Sequence, residues 1–218
     1  MMSKRSKVTF AMSRARRSFL FALCVLAVSF FVWLDHNYQL RPLSLPQTTA
    51  KIVSGDIEKY NAKTFTVTHV VDGDTLDINI PDGNYNHTRI RLWGVDTPET
   101  KKPNFPVMYF GPEASDFATK TALNQNVTVY LDEKLTRDKY ARLLAYLRLP
   151  DGRYLNELLL SEGFAYADLR FKHSFYNKYM QLEAAARSNK KGLWAGVTRE
   201  QLPEWLQREK PNLLKKKK

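Results

Sequence analysis

The chain has 218 residues, 44% of them hydrophobic and 12% aromatic, which is enough for one good core with an appendage at either end. Its formal net charge of +12 suggests a polyanionic partner, but ten of the 34 basic residues lie in the first 17 and last four positions, so charge alone does not choose between lipid and nucleic acid. A single cysteine and four scattered histidines, with no HExxH and no Cys pair, exclude an internal disulfide framework and leave zinc chemistry without ligands.

Residues 1–17 read as a basic cytoplasmic N-terminus. Residues 18–34, "SFLFALCVLAVSFFVWL", are uncharged and read as a transmembrane helix, an anchor rather than a removed signal, because no small-x-small cleavage site follows the run. The alternative is a protein secreted after cleavage. Since the basic flank stays inside, the rest of the chain is expected on the extracytoplasmic side. Residues 35–60, with Pro42 and Pro46, read as a linker that lifts a domain off the membrane.

The domain is expected at 61–198. "FTVTHVV", "TLDINI" and "TRIRLWGV" alternate apolar and polar residues and form a meander, with a turn at "PDGN" and with Ile90 and Leu92 opposite in face to Arg89, Arg91 and Trp93. "GPEASDFATKTAL" (111–123) has helical spacing, "NVTVYL" (126–131) and "RLLAYLRL" (142–149) are further strands, and helices are expected near 153–162, 174–189 and 199–207. The fold class is α+β: a five-stranded OB-type β-barrel with a helix inserted after strand 3 and C-terminal helices. Residues 199–218 read as an appended C-terminal helix and lysine-rich tail, with Lys215 to Lys218 an electrostatic tether.

The stretch "VVDGDTLDIN" sets Asp72, Asp74 and Asp77 within six residues. A turn accounts for Asp72-Gly73 but not for Asp74, which opens the next strand and needs a partner at the barrel mouth. Asp96 and Glu99, in "GVDTPET" after another strand, bring candidates. Two carboxylates from neighbouring strand ends, with a carbonyl and waters, suit calcium, and a metal would offset the crowding of like charge.

The segments "VVDGDTLDINI", "RIRLWGVDTPET", "YFGPEASDFATKTA", "DKYARLLAYLRLPDGRYLNELLLSEGFAYA" and "KKGLW", in that order from about residue 65 to 196, resemble the staphylococcal, or micrococcal, nuclease family. The resemblance implies that Asp74 and Asp96 give carboxylates to a Ca2+ ion and Thr97 its backbone carbonyl, with Asp72 supporting them. It implies that Arg91, Glu99 and Arg142 are catalytic and that Lys139 and Tyr140 contact substrate phosphates. The chemistry asks for these residue types: phosphodiester hydrolysis builds charge on phosphate oxygens, and guanidinium forks clamp those oxygens as lysine cannot.

Plainer readings stand beside these. Arg91 could be a solvated strand residue, Glu99 a turn acid, Arg142 a partner of Asp138, and Tyr140 a packing residue. Two departures bear on substrate grip: "KKPNFPVMYF" (101–110) turns apolar where the staphylococcal enzyme is lysine-rich, and Leu169 and Phe171 stand where that enzyme has tyrosines. The implied function is a calcium-dependent, sugar-nonspecific endonuclease that cuts DNA and RNA, preferring single strands and leaving 3′-phosphate ends, tethered to a membrane. The rival from another class is an OB-type module that binds nucleic acid at the membrane without cutting it.

Overall fold

A computed structural model describes residues 47–100 and 106–214. Helix α1 (Gln47–Tyr60) leads into strands β1 (Lys63–Val70), β2 (Thr75–Ile78) and β3 (Thr88–Leu92), then the two-residue strand β4 (Val95–Asp96) and helix α2 (Gly111–Ala122). Strands β5 (Asn126–Leu131) and β6 (Leu143–Arg148) follow, then helix α3 (Leu155–Ser161), the short strand β7 (Tyr166–Ala167) and helix α4 (Tyr176–Ser188). Single 3-10 turns at Gly192–Ala195 and Arg199–Gln201 precede helix α5 (Glu204–Glu209).

The expected barrel is present. Strands close in the order β1-β2-β3-β6-β5, with β5 pairing back onto β1, and only the β3–β6 pair is parallel. Alternation turns Leu76, Ile78, Ile90, Leu92, Val127, Val129, Leu143 and Leu147 into a solvent-free interior. Its one fully buried amide, Asn156, accepts from the Leu147 N–H (3.0 Å) and donates to the carbonyls of Trp93 (3.0 Å) and Ala145 (3.2 Å), so α3 is fastened to β3 and β6 with no polar atom of that side chain wasted.

The register sets up everything that follows. Thr75 pairs with Arg91 and Asp77 with Arg89 across β2 and β3. The Asp77–Arg89 pair is a forked ion pair, with Nε and Nη2 donating at 2.8 and 3.0 Å, and it covers the outer face of β2. Trp93 does lie on the face opposite Ile90, but that face is not open there: Phe171 and His173 cover its ring, leaving it 7% exposed.

Three expectations are corrected or left outside. The stretch read as a linker up to residue 60 forms α1 from Gln47 onward, and Tyr60 and Ile57 pack on the barrel core. The Tyr60 hydroxyl meets Thr88 Oγ1 at 3.1 Å, and the Asn61 side chain accepts from the Leu131 N–H at 3.0 Å, so the compact unit begins near Thr48 rather than residue 61. The C-terminal helix is not an appendage: Pro203, which lacks an N–H, divides 199–207 into a 3-10 turn and α5. Leu202, Trp205 and Leu206 then share a second apolar cluster with Tyr166, Ala186, Leu193 and Trp194. The apolar run 18–34, the remainder of the linker and Lys215 to Lys218 lie outside the described residues, among which no helix is long and apolar enough to cross a membrane.

Candidate active site

The turn between β1 and β2 explains the crowded aspartates. The Val71 and Asp72 N–H groups both donate to the Thr75 carbonyl (2.9 and 3.2 Å), and Asp72 Oδ1 accepts from the Asp74 N–H at 3.1 Å. That side-chain turn delivers Asp74 to the first step of β2. Gly73 is needed for close approach: a Cβ there would stand 2.8 Å from Thr97 Cγ2 and Oγ1. Asp74 is 1% exposed and satisfied from three sides, by the Thr97 N–H on Oδ2 (2.7 Å) and by Thr75 Oγ1 (3.1 Å) and Arg91 Nη1 on Oδ1. Burial pushes the neighbouring Asp72 carboxyl above its ordinary range, against the pull of Arg91 and Thr75.

Asp96 is brought alongside by a different device. Gly94, at φ +79°, turns the chain out of β3, and β4 then pairs with β7 so that Asp96 sits opposite Tyr166. Arg91 Nη2 donates to Asp96 Oδ1 and to the Val95 carbonyl (3.2 Å), so one guanidinium bridges both carboxylates. Within this structure it is Arg91 that offsets the like charges. Arg170 Nη2 adds a second donor to Asp96 Oδ1 at 3.1 Å while gripping Asp168 at 2.8 Å, and Trp205 Nε1 donates to Asp96 Oδ2 at 2.7 Å.

The other side of the site is a loop before β6. Asp138 Oδ1 accepts from the N–H groups of Tyr140 (2.9 Å) and Arg142 (3.0 Å), and its Oδ2 accepts from Arg142 Nε (2.7 Å). Arg142 therefore does pair with Asp138, yet its Nη1 also reaches Thr75 Oγ1 at 3.5 Å. The Lys139 ammonium and the Arg142 guanidinium lie 4.9 and 5.4 Å from the Tyr140 ring, which is 67% exposed. Behind this loop, Asp56 of α1 accepts from Thr136 Oγ1 (2.7 Å) and from the Arg137 fork (Nη2 at 2.7 Å), and Asp82 holds Arg137 from the other side.

The structure thus joins Asp74, Asp96, Arg91 and Thr97 in one hydrogen-bonded group, reaches Arg142 through Thr75, and puts Lys139 and Tyr140 beside Arg142. Glu99 lines, with Asp96 and Thr97, a cleft of about 790 Å³ whose far wall is Pro106 to Tyr109 and the segment around α5. Among the described residues no three His, Cys, Asp or Glu side chains gather as a metal cage. What the structure brings together is two carboxylates, Asp74 and Asp96, with no thiolate or imidazole beside them among the described residues, and hard oxygen donors of this kind fit calcium rather than zinc. Of the departures, Phe171 packs against Trp93 and leaves half its surface exposed, while residues 101–105 lie outside the described chain.

Sequence reasoning missed Thr75, Arg170, Trp205 and Asp56. Thr75 had a signal, standing between Asp74 and the strand partner of Arg91. Arg170 has a local partner in Asp168, but its contact with Asp96 spans 74 residues, and Asp56 and Trp205 meet partners 81 and 109 residues away with no local pattern to betray them.

Comparison with known proteins bears on what this geometry is for. The family described as staphylococcal nuclease homologue matches residues 89–196. The chain is 38% identical over 143 residues to a thermonuclease of Staphylococcus hyicus, covering 65% of this chain and 82% of that protein. It is also 38% identical over 133 residues to a thermonuclease of Staphylococcus intermedius, covering 61% and 76%. It is 35% identical over 132 residues to endonuclease YncB of Bacillus subtilis, covering 60% and 61%.

Proposed function

Because the chain belongs to the staphylococcal nuclease family and is a nuclease, we propose that it is a calcium-dependent, sugar-nonspecific endonuclease acting on DNA and RNA, with single strands preferred and 3′-phosphate ends released. The observation that supports this reading is the unbroken hydrogen-bonded line Arg142, Thr75, Asp74, Arg91, Asp96 at one end of the barrel. It carries two guanidinium groups and two carboxylates, the groups that phosphoryl chemistry asks for.

Asp74, Asp96 and the Thr97 carbonyl would hold the calcium ion, which when bound supplies Lewis-acid charge at the scissile phosphate. Arg91 and Arg142 clamp the phosphate oxygens from two directions, and Thr75 and Asp74 keep the two forks in fixed relation to each other. Glu99, on the cleft side, orients or deprotonates the attacking water. Lys139 and Tyr140 hold neighbouring phosphates and bases, the ring by stacking and the ammonium by charge.

The same reading tethers the domain outside the cytoplasmic membrane through residues 18–34, on the strength of their basic flank and uncharged run. Mature protein that fractionates with membranes and loses its domain to added protease agrees with the tether; a soluble form beginning near Asp35 contradicts it.

Incubating the full chain with single-stranded DNA, first in calcium and then in chelator, tests the enzyme. Cleavage that stops on chelation and returns with calcium is the expected result. Undiminished cleavage by Asp74→Ala in chelator would overturn the metal reading.

A further inference from the structure

We infer that the C-terminal segment carrying α5, which lies beyond the matched family region ending at residue 196, completes the active site, and that Trp205 is a positioning residue for Asp96. The inference rests on the calcium reading above and adds to it a residue for which nothing in the family match speaks.

The geometry is specific. Trp205 Nε1 donates to Asp96 Oδ2 at 2.7 Å, while Arg170 stacks on the indole 4.8 Å from the ring and donates to the other oxygen of the same carboxylate. Trp205 is 7% exposed, wedged among Leu202, Leu206 and Tyr166. If the Asp96 carboxylate swung away, that N–H would be left buried without a partner, so the carboxylate is locked in one orientation.

The residue type matters. Asp96 takes further donors from Arg91 and Arg170, but both are cations that a bound phosphate would attract, and both add positive charge that opposes a metal ion. An indole N–H is neutral, has a single direction, and cannot leave for the substrate. It occupies one lone pair of Oδ2 and leaves the other free for a cation. Metal ligands held by such an outer partner typically lose about 10–100-fold in metal affinity when the partner is removed.

Pro203 and the second apolar cluster set the indole's aim. The segment also walls the cleft that Glu99 lines, through Leu202, Glu204, Gln207 and Arg208. Its attachment is apolar on one side and ionic on another, where Lys210 stands 3.7 Å from the buried Glu183 carboxylate.

The test uses the full chain and two replacements at position 205: Trp205→Phe, and 3-benzothienylalanine, which keeps the indole shape and removes only the N–H. Calcium binding is measured by calorimetry, the thermal midpoint of the metal-free protein by calorimetric scan, and cleavage as a function of calcium. The expected result is a loss of about tenfold in calcium affinity for both replacements, with the thermal midpoint of the benzothienyl form nearly unchanged. The calcium needed for half-maximal cleavage rises in step, while the rate at saturating calcium stays within about twofold. Calcium bound as tightly by the benzothienyl form as by the wild type overturns the inference alone. A wild-type chain that binds no calcium overturns the calcium reading and this inference with it.

Discussion

Asp74 and Asp96 are shut in, with each of their four carboxylate oxygens accepting a bond from another part of the chain, whereas Tyr140, whose ring lies beside Arg142 at the other end of the hydrogen-bonded line, has two-thirds of its surface in solvent. The closed half draws on β2, β3, β4, the stretch after β7, and α5; the open half is a single loop. The difference follows from the work proposed for each. Like charges held close in a dry place need donors fixed beforehand, because any that had to be recruited would cost reorganisation at the moment of reaction. A surface that grips a variable strand gains from long side chains left in water. Yet the open half is not loose at its root, since Asp56 holds Thr136 and Arg137 immediately before the loop.

Breaking the closed half gives the largest effect. Asp74→Ala removes a proposed metal ligand and leaves Arg91 Nη1 and the Thr97 N–H without their acceptor in a buried place, so cleavage falls by at least about 10²-fold while metal-free stability also falls by about 2–3 kcal/mol. Single-turnover cleavage and a denaturant curve on one preparation check both. Repulsion between the carboxylates, which is all the sequence displays, would not lead one to expect that loss of stability; the guanidinium that Arg91 lays across them accounts for it.

Cutting the root of the open half comes next. Asp56→Ala leaves Arg137 with only Asp82 and the Ala141 carbonyl, and the Thr136 hydroxyl without its acceptor, at a cost of about 3 kcal/mol in unfolding free energy. The Michaelis constant for single-stranded DNA rises with it because Lys139 and Tyr140 lose their footing, and a normal constant in a destabilised variant would separate α1 from the loop.

Acid sharpens the comparison from the closed side, where His173 packs under Trp93 and against Gly94. Burial holds the His173 imidazole down to about 4, against the upward pull of Asp132 and Asp168, and its Nδ1 accepts from the Tyr146 hydroxyl (3.1 Å) and the Phe175 N–H (3.3 Å). A folded-state value below the unfolded 6.5 means that the folded chain favours the neutral ring. Its contribution is complete above about pH 6.5 and is lost as pH falls toward about 4. Stability measured across that window should show the step, and His173→Gln should flatten it.

The smallest effect belongs to the tip of the open half. Tyr140→Ala should leave stability within about 0.5 kcal/mol and weaken single-strand binding by about 1–2 kcal/mol, as fluorescence titration would read.

The same division governs what could be read from the sequence. The barrel and the inserted helix were legible because they follow from alternation and from register across adjacent strands, where a two-residue period fixes each face, while the place of Arg91 beside Asp74 and Asp96 came from the family resemblance. Asp56 and Trp205 were not. Their partners lie 81 and 109 residues away, and a short amphipathic segment after a proline reads the same whether it docks or hangs free. The ends of the chain were therefore read as linker and appendage, when α1 and α5 each hold one half of the site.

The most direct test of the account is to measure single-turnover cleavage and equilibrium binding of single-stranded DNA, in calcium, for the wild type and for Arg91→Ala, Glu99→Gln and Arg142→Ala. The account predicts that each variant cuts about 10²-fold or more slowly while binding falls much less, because these groups act mostly in the transition state and Lys139 and Tyr140 still hold the strand. A wild-type protein that binds the strand in calcium yet cuts it no faster than the variants would contradict the account and leave a binding module in its place.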